Sequence, residues 1–130
     1  MNDAPKAAVL EQIAGGTRWR AEGQTNYRFP AGLVHARFKT SGPFSFNVNP
    51  ATLRADYELW ICGGPAVYYL LPQSVVRGMY EHPEAYVDAR HPEIRVVSVD
   101  VDRHRATFAR GGETLDLRPY FKASLPALAV

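Results

Sequence analysis

Apolar and polar positions alternate through the middle of the chain with a period of two. In residues 33–40, Leu33, His35, Arg37 and Lys39 fall on one side and Val34, Ala36 and Phe38 on the other, the signature of a half-buried strand. After the turn Ser41-Gly42-Pro43, Phe44, Phe46 and Val48 repeat the alternation, which predicts a hairpin of residues 33–40 with 44–48. Residues 56–62 and 66–71 flank Gly63-Gly64-Pro65 as a second hairpin. Both of its strands are apolar at nearly every position, so they are expected to be covered on both faces and central in a sheet. Residues 93–100 and 105–109 form a third hairpin about a turn at 102–104, and a last short element is expected at 114–120.

Helical spacing is confined to two short stretches. Residues 5–14 place Ala8, Val9, Leu10 and Ile13 on one stripe, with Asp3 in the N-cap position and Gly15-Gly16 as the stop. Residues 73–80 turn Val75, Val76 and Met79 toward a core. A short strand is expected at 26–29, a loop with two His-Pro steps at 81–92, and a frayed tail at 122–130. The fold class is therefore α+β: one domain over residues 1–130, an antiparallel or mixed sheet of hairpins, and a single layer of two helices packed on it.

Composition fits that class. The 130 residues are 46% hydrophobic and 12% aromatic, enough for one core. No run approaches the roughly 20 apolar residues of a membrane span, and the first residues lack a secretory signal, so the expected location is cytoplasmic, without membrane contact. Cys62 is the single cysteine and is expected to be buried and inert.

The net charge of +2 excludes a global basic field, but the charges are segregated. Between Glu11 and Asp56 a single acid, Glu22, faces Arg18, Arg20, Arg28, Arg37, Lys39 and Arg54. If those side chains converge, they form one basic surface. Trp19 between Arg18 and Arg20 suits a stacked base flanked by phosphate contacts, and equally suits a loop tryptophan that closes the core.

Local catalytic motifs are missing: no phosphate loop, no nucleophile elbow, and no histidine pair at helical metal-ligand spacing. His82, His91 and Asp88 share one loop, where solvent exposure is the plainer reading.

Residues 34–72 run as a strand ending Lys39-Thr40, a short strand Phe44-Ser45-Phe46, a strand opening Ala55-Asp56-Tyr57, and a return Tyr68-Tyr69-Leu70-Leu71-Pro72 before a helix. This order resembles the catalytic core of the PD-(D/E)XK nuclease superfamily, in its homing-endonuclease-like branch. The resemblance implies that Lys39 is the motif lysine, that Asp56 matches a later acid of that branch, and that Glu22 is the remaining candidate for the first acid. It also implies Mg2+ as the cofactor of an active nuclease, with two carboxylates holding the metal and the lysine helping to orient water. Arg37 occupies the position of the second acid and cannot ligate a cation, so the motif is degenerate.

The function expected is accordingly a nucleic-acid-binding domain without standard metal-dependent cleavage and without a cofactor. Arg18, Trp19, Arg20, His35, Arg37 and Lys39 would touch DNA or RNA. Two alternatives stay open: an active nuclease built on Lys39, Glu22 and Asp56 with atypical ligands, and an assembly domain whose aromatic surface or sheet edge binds a protein partner or a second copy.

Overall fold

The computed structural model describes residues 4–125. Helix α1 spans Ala4–Ala14 and buries Val9, Leu10, Ile13 and Ala14; Gly15 and Gly16, both at positive φ, end it. The expected N-cap, Asp3, lies outside the described residues. The strands in chain order are β1 (Arg20–Ala21), β2 (Asn26–Phe29), β3 (Gly32–Lys39), β4 (Phe44–Val48), β5 (Tyr57–Cys62), β6 (Tyr68–Pro72), β7 (Tyr86–Val87), β8 (Arg95–Asp100), β9 (Arg105–Ala109) and β10 (Glu113–Asp116). Helix α2, Gln73–Tyr80, follows β6, and single 3-10 turns occupy Pro50–Thr52 and Arg118–Tyr120. No helix among the described residues is long and apolar enough to cross a membrane.

The class is α+β, with two sheets. The first runs β1-β2-β3-β5-β6; the second runs β10-β9-β8-β4, with β7 also paired to β8. The β5–β6 and β8–β9 hairpins form as expected. The β3–β4 hairpin does not. β4 crosses to the second sheet and pairs antiparallel with β8, Phe44 opposite Val99 and Val48 opposite Arg95. β3 pairs instead with β5, in parallel, from Val34 opposite Tyr57 to Lys39 opposite Cys62. The period-two pattern identifies a strand and its inward face but carries no information about its partner.

The physical reason lies in β5 and β6. Their side chains are apolar on both faces, and each face needs a cover. On one side, α1 packs over Val34, Ala36, Leu59, Ile61, Tyr68 and Leu70. On the other, Trp60, Cys62, Tyr69 and Leu71 meet Phe46, Val48, Val97 and Val99 of the second sheet together with Val76, Met79 and Tyr80 of α2. The two helices thus serve different cores and do not form one layer. β6 is covered on both faces yet stands last in its sheet, so the expectation that the whole hairpin is central holds for β5 alone. Near its outer edge, Tyr69 bridges Phe121 and the Lys122 amide donates to the Tyr68 carbonyl. The Leu125 amide donates to Ile13, so the expected fraying does not extend to residues 122–125; residues 126–130 lie outside the described residues.

Candidate functional site

Register sorts the side chains of the first sheet. His35, Arg37 and Lys39 stand opposite Glu58, Trp60 and Cys62 and share their face. Across β2 and β1, Asn26 pairs with His35, Arg28 with Leu33 and Arg20 with Arg28, which extends the same face to the sheet edge. The second sheet covers the β5–β6 end of it, over Trp60 and Tyr69. Over β1–β3 this face is polar, and Arg20, Arg28 and Lys39 are exposed there.

At the boundary between the covered and polar parts lies Glu58, 3% exposed and the single charged residue buried among the described ones. Its Oε1 accepts hydrogen bonds from Arg37 Nε at 3.0 Å and from His35 Nδ1 at 3.2 Å. An ionised carboxylate has no proton to donate, so Nδ1 carries the proton of this contact, and in the neutral ring the lone pair is on Nε2. His35 and Arg37 have side chains only 20% and 26% exposed, because they close over this carboxylate. Sequence reasoning missed Glu58 altogether. The signal was present, since a lone acid inside an apolar strand must find partners, but naming them required the parallel register.

Two cavities open over the cluster and share His35 and Arg37 as a common wall. One, about 320 Å³, is lined by Glu58, Arg54, Asn26 and Glu22 besides those two. The other, about 510 Å³, runs along Lys39 toward Ser45 and Asn47 of β4 and Lys6 of α1. They adjoin at His35 and Arg37 in a groove across β3, with Arg54 lining the first and Lys39 and Lys6 the second.

The remaining expected site residues divide. Glu22 is held by Arg28 Nε at 3.0 Å and Arg20 at 3.2 Å, and the Arg28 hydrogen bond lowers its carboxyl below the usual range. Asp56 Oδ2 accepts from the Leu33 amide at 2.8 Å while its own amide donates to the Leu33 carbonyl, so it clasps the start of β3. Lys39 stands at the far end of that strand, six residues from Leu33 or about 20 Å at strand rise. Asp56 and Lys39 therefore do not meet, and among the described residues no three His, Cys, Asp or Glu side chains gather into a group that could hold a metal.

Trp19 faces the other way. Its ring stacks on Phe29 at 5.9 Å and meets Tyr27 edge-on, and its Nε1 donates to Glu11 of α1. It closes the α1 core, and with the exposed Arg18, Arg20 and Arg28 it also lines a shallow hollow. The loop histidines are also accounted for: His82 Nε2 lies 2.8 Å from Glu113, and Asp88 caps the amides of Arg90 and His91. Cys62 is buried, and burial pushes its thiol up to about 12, leaving it unreactive near neutral pH.

The Asp56 clasp requires glycine at residue 32. Gly32 has φ +146°, and a Cβ there would lie 2.7 Å from Asp56 Oδ2. Gly32→Ala is expected to cost about 2 kcal/mol through backbone strain and the displaced carboxylate, read as a lowered urea midpoint at unchanged slope.

The chain matches no protein-family model, no curated protein and no solved structure.

Proposed function

We propose that the protein is a nucleic-acid-binding domain that holds a single-stranded phosphodiester backbone in the groove across β3. The observation that carries this reading is the register that puts Arg37, Lys39 and His35 on one polar face, with Arg54 lining the same groove. Cations spaced along a groove neutralise successive phosphates, and the released counterions drive binding without regard to sequence. Trp19 lines neither half of the groove, so the contacts proposed there are with the backbone. The segment that supplies these residues is the one resembling the PD-(D/E)XK core. Arg37 at an acid's position, and Asp56 committed to Leu33, favour binding over the standard two-carboxylate chemistry.

Lys39 and Arg54 are exposed and make no side-chain hydrogen bond or ion pair among the described residues, which makes them the clean test. The double variant Lys39→Ala/Arg54→Ala should keep its thermal midpoint and bind labelled single strands about tenfold more weakly at low salt. Its slope of log affinity against log salt should be shallower by about 1.4, two phosphates at roughly 0.7 each. Fluorescence polarisation at several salt concentrations measures both; unchanged affinity and slope would reject the groove as the binding path.

A further inference from the structure

We propose that His35 is the general base of a metal-independent ribonuclease site in this groove, an inference that rests on the nucleic-acid reading above. Three features on the face of the first sheet combine to give it. Glu58, almost wholly buried, fixes the His35 ring through Nδ1 and so leaves Nε2 as the proton acceptor. His35 lines both halves of the groove, where a strand would lie. Arg37, its Nε committed to Glu58, makes no other hydrogen bond through its terminal nitrogens among the described residues, and Arg54 lines the same cavity.

This is the arrangement that an internal 2′-hydroxyl requires. His35 Nε2 removes the 2′-hydroxyl proton as the 2′ oxygen bonds to the adjacent phosphorus, and the bond from phosphorus to the 5′ oxygen breaks. The departing 5′ oxygen takes a proton from solvent, and His35 later returns its own to solvent, so protons and electrons balance without a co-reactant. The charge that builds on the phosphoryl oxygens falls to Arg37 and Arg54. The products are a 2′,3′-cyclic phosphate and a 5′-hydroxyl. DNA, which lacks the nucleophile, binds and stays intact. Glu58 is a positioning residue, since it touches His35 and not the reacting atoms.

The test uses the full chain with labelled RNA and DNA of one sequence, in EDTA, scored separately for binding by polarisation and for cleavage by gel. Expected are cut RNA ending in a cyclic phosphate, uncut DNA, and a cleavage rate at least about 100-fold lower in His35→Asn at RNA concentrations that saturate the variant by polarisation. Asparagine keeps a donor toward Glu58, which favours folding. Glu58→Gln should lower kcat about tenfold with KM unchanged, a split that general loosening of the fold would not produce. RNA that binds and remains whole overturns this proposal and leaves the binding reading standing. RNA that does not bind overturns both. Cleavage that persists in His35→Asn also overturns it. The wild-type end-group result stands even if the Glu58 variant fails to fold.

Discussion

Replacing Arg37 with alanine will lower the unfolding free energy by about 3 kcal/mol. The Glu58 carboxyl group, 3% exposed, would be left with His35 as its remaining partner, and a neutral imidazole donates a hydrogen bond but supplies no positive charge. Removing one side of a buried ion pair costs roughly 3–5 kcal/mol, and the lower end applies because Arg37 is itself a quarter exposed. The cause can be separated from simple loss of packing. Adding Glu58→Leu to Arg37→Ala removes the stranded charge and fills its site, so the double variant should regain most of the loss. Urea unfolding of the two single variants and the double closes the cycle. An Arg37→Ala protein within about 0.5 kcal/mol of the parent would show that the carboxylate is hydrated or protonated at little cost. Read from the alternation alone, the same substitution lies on a solvent face and should be silent.

Trp60→Ala should be the most damaging change in the core, at about 4 kcal/mol. The ring is wholly buried between the sheets, stacked on Phe46 of β4 at 4.6 Å with planes 8° apart, and met edge-on by Tyr80 of α2. Tyr80 in turn donates its hydroxyl to the Phe46 carbonyl at 2.7 Å, so three elements converge on one indole. Trp60→Phe is expected to cost far less, about 1–2 kcal/mol. It keeps a stacking ring, and it discards an indole N–H that has no partner among the described residues and is therefore a desolvation cost in the parent. Thermal melts followed by near-ultraviolet circular dichroism would show the alanine variant losing both sheets in one transition. Two separated transitions would mean that the sheets are held together by something other than this contact.

These two positions show what the sequence makes legible and what it withholds. Trp60 sits in Leu59-Trp60-Ile61-Cys62, and an unbroken apolar run announces burial on both faces whatever the fold. Strands, helices and their inward positions follow from such local patterns, which is why α1, α2 and the β5–β6 and β8–β9 hairpins stand where spacing puts them. Pairing is a different kind of information. β3 and β4 both alternate and are joined by a turn, so a hairpin is the economical local solution, yet covering the second face of β5 and β6 takes β4 elsewhere. The candidate site inherits that difficulty. Arg37 and Lys39 were recognisable as a basic pair, but the sequence distance from Arg37 to Glu58 is bridged only by the parallel register, and the clasp of Asp56 on Leu33 is likewise a long-range contact that local pattern does not announce. Trp19 between two arginines suited a stacked base and a core-closing tryptophan equally; its ring packs on Tyr27 and Phe29 and its Nε1 donates to Glu11.

The crossing of β4 also sets an order of events. β3 and β5 remain neighbours while the strand between them is lent to β8, so Phe46 and Val48 find their backbone partners only after residues 95–99 exist. Until then the Trp60 side of the first sheet has no roof, and the β4 wall of the groove, with Ser45 and Asn47, has no fixed position. Distant pairings of this kind close slowly, because the intervening chain must be confined before contact rewards it. During synthesis Arg37 and Lys39 of β3 emerge early, and the cleft they line acquires its shape near the end.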